Sequence, residues 1–219
     1  MNYKLKQSNR KTIAIKVVDG SVFVYAPFGV DKHIIEGFVK EKTPWILEKL
    51  ALYRKLGFDV FEDDIAYVFG SKLQVERIIG TQYRCEISSQ ALIITHPKRA
   101  SQGRVNQFVE DKLKEKLDEI IQSSLNDYCG QLGLKVPPYI IRKYKRLYGR
   151  CSSKGSLGFN TYLFHESLEF IQYVVLHECA HMIEFNHSKQ FYAIIESIMP
   201  NYKHIIAQQK RERAEHPDQ

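Results

Sequence analysis

His177-Glu178-Cys179-Ala180-His181, then Met182-Ile183-Glu184-Phe185-Asn186 and His187, is the stretch on which the reading of this chain turns. On a helix, residues four apart lie one turn above each other, so His177 and His181 present both imidazoles to one point. Glu178 stands beside the first histidine, within reach of a water at that point. Asn186 tolerates the left-handed backbone that ends helices, which predicts a turn that swings His187 back. Two helical histidines, a third histidine and an open fourth position match the donor set of a catalytic zinc ion. An HExxH arises by chance in about 2% of chains of this composition, and adding His187 lowers that to about 0.1%, so the triplet outweighs a core helix with ordinary buried histidines.

Working outward, the stripe Phe170, Val174, His177, His181 and then Glu184 or Phe185 marks the helix, with Glu166-Ser167 at its start. Ser188 to Met199 reads as a short helix stopped by Pro200, with Phe191, Ile194, Ile195 and Ile198 on its buried face. The residues from Lys210 to Gln219 are charged and expected to fray. Upstream, Tyr139 to Leu147 reads as an extended, basic strand after Pro137-Pro138, Tyr148 to Gly155 as a polar turn, and Leu157 to Leu163 as a returning strand. Val105 to Leu125 carries Phe108, Val109, Leu113, Leu117, Ile120, Ile121 and Leu125 at helical spacing, with Gly130 and Gly133 to end it.

The first hundred residues have a different texture. Ile13, Ile15 and Val17 alternate, Asp19-Gly20 is a tight-turn signal and Val22 to Ala26 resumes an extended run, which makes a hairpin. Asp31 opens a helix carrying Ile34, Ile35, Phe38, Val39, Trp45, Ile46 and Leu50, and Pro44 divides it into two pieces or kinks it. Trp45, the only tryptophan, is expected to anchor a core. Ile65 to Phe69, Gly70-Ser71 and Leu73 to Ile79 form a second hairpin, with short strands at Cys85 to Ile87 and Ala91 to Thr95. His33 and His96 lack partners at ligand spacing and read as surface residues. Pro97 to Gly103 is the best linker. The fold class is therefore α+β, with residues 1–100 an N-terminal region of hairpins and helix and residues 101–219 the region of the histidines, unless both form one continuous domain.

Bulk properties narrow the setting. The 219 residues are 44% hydrophobic and 26% charged, ordinary values for a globular chain with a sizeable core. The first residues are polar and basic, which predicts no signal peptide, and no apolar run is long enough to span a bilayer. Cys85, Cys129, Cys151 and Cys179 form no CxxC pair and suit free thiols in a cytoplasmic protein. Cys179 reads as a buried structural thiol, not a nucleophile. Between Tyr128 and His165 there is no acidic residue, yet Lys135, Arg142, Lys143, Lys145, Arg146, Arg150 and Lys154 fall there. The chain has 32 basic residues; without these seven, 25 remain against 25 acidic ones, so the whole net charge of +7 lies just ahead of the histidines. Such a stretch is either a solvated face or a site for an anionic, phosphate-bearing ligand or a nucleic acid.

With these residues in view, the chain resembles the YgjP-like family of metal-dependent hydrolases, relatives of the WLM and SprT-type zincins. The resemblance runs from about Arg10 to Arg213. It rests on Tyr148-Gly149-Arg150-Cys151-Ser152-Ser153-Lys154-Gly155, Asn160, the HExxH, Asn186-His187-Ser188-Lys189-Gln190-Phe191-Tyr192 and Met199-Pro200-Asn201-Tyr202. It implies a zincin-like catalytic region of helices and a short antiparallel sheet, with His177, His181 and His187 holding zinc and Glu178 as the catalytic base. Tyr148 stands where the family usually has tryptophan, and Arg150 where it usually has a small residue. Zincins of another branch use a glutamate as third ligand, which makes Glu184, and after it Glu196, the weaker candidates.

The chemistry expected is hydrolysis of peptide bonds by metal-activated water, with Tyr148, Arg150 or His165 as the source of an oxyanion stabiliser. A peptide would lie along Leu157 to Leu163 as an added strand. One alternative keeps the same centre and hydrolyses phosphoanhydrides of nucleotides; another is a basic module docked on nucleic acid, with a structural metal.

Overall fold

In the computed structural model, which describes residues 3–18, 21–47, 59–145 and 147–215, the alternating runs at the N-terminus form a small sheet. Lys4–Ser8 (β1), Ala14–Val18 (β2) and Ser21–Pro27 (β3) pair in the order β1-β3-β2, with β2 antiparallel and β1 parallel to the central strand. The expected hairpin is β2–β3. β1 has no apolar alternation and is exposed throughout, so periodicity could not announce it. Lys32–Glu41 (α1) starts at Asp31, whose carboxylate accepts the backbone N–H of His33 at 2.8 Å. Val22, Val24, Ala26, Ile35, Val39 and Ile46 make the core of this unit. Residues 43–47 are again helical after a turn at Lys42, so Pro44 sits at the start of a second helical piece, where its missing N–H costs nothing. Trp45 does not anchor the core: it is 40% exposed, and its neighbour Ile46 is the fully buried residue.

The chain divides into two units, Met1–Phe58 and Asp59–His216, and not at the linker read around Pro97–Gly103. The second hairpin therefore belongs with the histidines. Ile65–Val68 (β4), Ser71–Gly80 (β5), Arg84–Ile87 (β6) and Ala91–Pro97 (β7) form a sheet in the order β4-β5-β7-β6. Phe69 and Gly70 make the β4–β5 turn with φ of 51° and 82°, the positive values of a tight two-residue hairpin. His96, expected on the surface, is 5% exposed on β7, with Nδ1 3.1 Å from the carbonyl of Pro97 and its ring edge-on to Phe61.

Gln102–Leu132 (α2) is the long helix, 31 residues, and buries Val105, Val109, Leu113, Leu117, Ile121 and Leu125 in one stripe of spacing four. Gly130 does not break it. Gly133 does, in the left-handed conformation with φ of 66°.

Tyr139–Arg142 (β8), Gly149–Cys151 (β9) and Leu157–Asn160 (β10) form a third sheet in the order β8-β10-β9. It is mixed and not purely antiparallel, because β10 runs parallel to β8 and antiparallel to β9. Two expected strands are cut short by one side chain. Asn160 accepts the N–H of Tyr144 at 3.2 Å and donates to the carbonyls of Tyr144 and Leu147 at 2.9 and 2.7 Å, which turns the chain away after Arg142. Asn160 also caps a 3-10 turn, Thr161–His165, so β10 stops there. β10 is buried along its length and flanked on both sides, so it is not the exposed edge expected at Leu157 to Leu163.

Leu168–Ala180 (α3), Lys189–Ile198 (α4) and Tyr202–Glu215 (α5) complete the unit. α3 starts at Ser167, which accepts the N–H of Phe170 at 3.2 Å. It is buried on almost every side: Ile171, Val175, Leu176, Cys179 and Ala180 have no exposed surface. At about 1.5–3 kcal/mol for each large apolar side chain withdrawn from water, this packing holds the helix far more firmly than its cap, worth about 1 kcal/mol. The β4–β5 turn meets the entry to α3: Phe69 donates its N–H to the carbonyl of Phe164 at 2.8 Å, and His165 Nδ1 lies 2.9 Å from the carbonyl of Tyr67. Among the described residues no helix is long and apolar enough to cross a membrane.

Candidate metal centre

The buried helix α3 carries His177 in its last turn and ends in His181 as its C-cap. The chain leaves it through shortened bonds, Met182 N–H to the Cys179 carbonyl and Ile183 N–H to the Ala180 carbonyl, each 3.0 Å. Asn186 is not left-handed, since Phe69 is the only non-glycine residue of positive φ among those described. Instead the Glu184 carboxylate accepts the N–H of Asn186 at 3.2 Å and shapes the turn. Ser188 then caps α4, accepting the N–H of Phe191 at 3.3 Å, and His187 is set just ahead of that helix.

The result brings His177, His181 and His187 together, with one ring nitrogen from each within 4.8 Å of the others. His187 Nε2 lies 3.1 Å from His177 Nε2. Two nitrogens bound at about 2.0–2.1 Å to one tetrahedral ion are roughly 3.3 Å apart, so this spacing fits a shared metal. The remaining ring nitrogens of the helical pair are engaged elsewhere: His181 Nδ1 lies 3.2 Å from the Glu184 carbonyl, and His177 Nδ1 lies 3.3 Å from the Tyr173 hydroxyl. Phe191, fully buried, packs its ring 4.9, 4.5 and 4.8 Å from those of His177, His181 and His187. Burial and the two neighbouring imidazoles push the His177 pKa down to about 4, and burial also lowers that of His181, so both are neutral and fit to ligate at pH 7.

Glu178 is 4% exposed, and its Oε2 is buried without a hydrogen-bond partner among the described residues. Burial raises its pKa to about 8. A buried carboxyl oxygen with no donor, beside three convergent imidazoles, fits a cation and its water. Gly149 on β9 lies against this carboxyl: a Cβ there would be 2.5 Å from Oε1 and 2.8 Å from Cγ of Glu178. Sequence reasoning missed Gly149, Tyr173 and Phe191 as parts of the site. Tyr173 had a usable signal, standing four residues before His177 on the same helix face; Gly149 had none.

The other candidates fall elsewhere. Glu184 serves the turn through its carbonyl and carboxylate, and Glu196 pairs with Lys203 at 3.5 Å. Tyr148 donates to Glu166 at 2.5 Å and accepts from Gln209 at 2.9 Å. The His165 ring is held by the Tyr67 carbonyl. Arg150 pairs across the sheet with Gly158 and packs there beside Tyr144, on the face opposite the one Gly149 turns to Glu178. Arg142 stacks over that tyrosine ring at 4.7 Å, Lys143 pairs with Glu110 at 2.8 Å, and Arg146 lies outside the described residues. Cys179 is buried as expected, its sulfur 4.0 Å from that of Cys129.

Residues 11–212 match the YgjP-like family as a metallopeptidase domain, and the chain belongs to that family. Among solved structures it is similar to the metallopeptidase zymogen jannalysin of Methanocaldococcus jannaschii, at 20% identity and a TM-score of 0.38, over 42% of this chain and 88% of that one. A comparison with curated proteins gives no match.

Proposed function

We propose that this protein is a soluble, cytoplasmic zinc metallopeptidase of the HExxH type, with His177, His181 and His187 as ligands and Glu178 as general base. The observation that carries this reading is the pair of facing Nε2 atoms, 3.1 Å apart, next to the donorless buried oxygen of Glu178. Zinc, when bound, supplies a Lewis acid that acidifies a water, polarises a carbonyl and draws the Glu178 pKa back down. Glu178 takes the proton of the attacking water and delivers it to the leaving amine. Its burial keeps competing water away from the proton. The peptide lies along β9, which pairs with β10 on one side only among the described residues and carries Gly149 against Glu178. The four free thiols support a reducing compartment.

Glu178→Gln is the test. It retains one zinc per chain and loses cleavage of a quenched-fluorescent peptide library, whereas His187→Ala loses the zinc. Undiminished cleavage by Glu178→Gln would sink the assignment. Nucleoside triphosphates offered in parallel read out phosphoanhydride hydrolysis at the same centre.

A further inference from the structure

We infer that Tyr173 is a positioning residue of the metal centre: its hydroxyl oxygen accepts the Nδ1–H of His177 and so holds the tautomer and ring plane that point Nε2 at the ion. The inference rests on the zinc reading above. Before metal binds, a histidine whose far nitrogen is unsupported rotates and changes tautomer freely, and metal sites suppress this with an acceptor behind the ring. Here His181 has one that no side-chain substitution removes, the carbonyl of Glu184 at 3.2 Å. For His177 the corresponding group is the Tyr173 hydroxyl at 3.3 Å, one helical turn upstream.

Tyr173 is built to hold that position. It is 9% exposed, and its ring stacks on Tyr202 of α5 with centroids 6.3 Å apart and planes 8° from parallel. Phe170 packs on it at 5.9 Å. The hydroxyl therefore cannot swing away without unstacking two helices. The stack continues from Tyr202 to Tyr192 at 6.1 Å, and the Tyr192 ring lies 6.3 Å from that of His187. One column of three tyrosines thus backs two of the three ligands.

A phenol differs from the carboxylate or carbonyl more common in this role. It is neutral, so the charge of a bound ion is not offset from behind His177. It can also donate. In the tautomer where it donates to Nδ1, Nε2 carries the proton and cannot ligate, so metal uptake selects the tautomer in which Nδ1 donates.

Tyr173→Phe removes one oxygen and keeps the ring, the stack and the burial. Zinc dissociation constants are measured by chelator competition, with the melting temperature of the metal-free protein as a check on folding. The expected result is about 10–100-fold weaker binding with an unchanged metal-free melting temperature. Proton spectra of the cobalt-loaded protein give a second readout. The exchangeable Nδ1–H signals of the ligating histidines are slow to exchange in wild type, and the His177 signal exchanges rapidly in Tyr173→Phe. Wild-type protein that takes up no metal overturns the centre and this inference together. Wild type that binds zinc while Tyr173→Phe binds equally well overturns the inference alone. So does a His177 Nδ1–H that exchanges at solvent rate in the wild-type cobalt protein, without recourse to any variant.

Discussion

Gly149→Ala tests the contact between β9 and Glu178, the proposed general base. A Cβ at this position would stand 2.5 Å from Oε1, 2.8 Å from Cγ and 2.9 Å from Cδ of Glu178. Ordinary contact between such atoms is about 3.5 Å, so the methyl would intrude by roughly 1 Å. Neither side yields cheaply. Gly149 is pinned by pairing with Phe159, and the carbonyl just before it, that of Tyr148, accepts the N–H of Asn160 at 2.8 Å. Glu178 belongs to a helix packed on almost every side and is itself 4% exposed. The carboxyl is the softest part and takes most of the shift. A misplacement of about 1 Å in a catalytic group costs on the order of 100-fold in rate, while overpacking of this size costs about 1–3 kcal/mol in stability. The expected outcome is therefore a kcat for peptide cleavage lowered about 100-fold, full zinc content because no histidine is touched, and a melting temperature lowered by a few degrees. Steady-state kinetics, metal analysis and thermal melts read the three quantities. A Gly149→Ala enzyme with wild-type kcat would refute the argument that this backbone sets the position of Glu178.

Two further outcomes test the frame around the site. Gly70 has φ of +82°, and a Cβ there would meet Ser167 Cα at 3.0 Å, whereas Gly133, with φ of +66°, has nothing within 4 Å. Both alanine variants carry the left-handed strain of about 1–2 kcal/mol, and Gly70→Ala adds crowding at the cap of α3; thermal melts in which Gly70→Ala costs no more than Gly133→Ala would disprove the crowding. Burial holds the His165 pKa below the ordinary value, against the opposing pull of the Tyr67 carbonyl. The unfolded chain then takes up this proton first, below its pKa of about 6.5, so the stabilisation is present above that pH and is lost as pH falls towards the folded-state value. Urea unfolding of metal-free protein at descending pH should show wild type losing up to about 1.4 kcal/mol per pH unit more than His165→Gln, and parallel slopes would refute it.

The parts of this fold that were legible in the sequence are those set by local spacing. HExxH reads directly because four residues make one helical turn, and the β2–β3 and β4–β5 hairpins read from alternation interrupted by Asp19-Gly20 and Gly70. What could not be read depends on partners distant in sequence. β10 looks like any short apolar strand; that it is central, and β9 the edge, follows from its pairing with both neighbours. The strand expected through Leu147 fails because Asn160 captures two carbonyls of the loop. Trp45 and His96 exchange their expected places because burial belongs to a face of an element, and residue type only biases it. Asn186 was a sound helix stop by type, but the Glu184 carboxylate supplies the bond that a left-handed residue would have made unnecessary.

The placement of the three histidines follows from the same division between local and distant effects. His177 and His181 come ready-paired at the end of a helix that the core immobilises. His187 is exposed and sits on a turn held by a few polar bonds, so by itself it would cost entropy to fix. Phe191 resolves this. It is the third residue of α4, its N–H is bonded to the Ser188 cap, and its buried ring touches all three imidazoles at once. Withdrawal of that ring from water contributes about 1.5–3 kcal/mol. Much of that gain exists only while α4 is docked on the helical pair, and docking α4 is what brings His187 to within 3.1 Å of His177. His187, the proposed third ligand, is thus positioned by hydrophobic burial four residues further along the chain, which leaves its own side open to solvent.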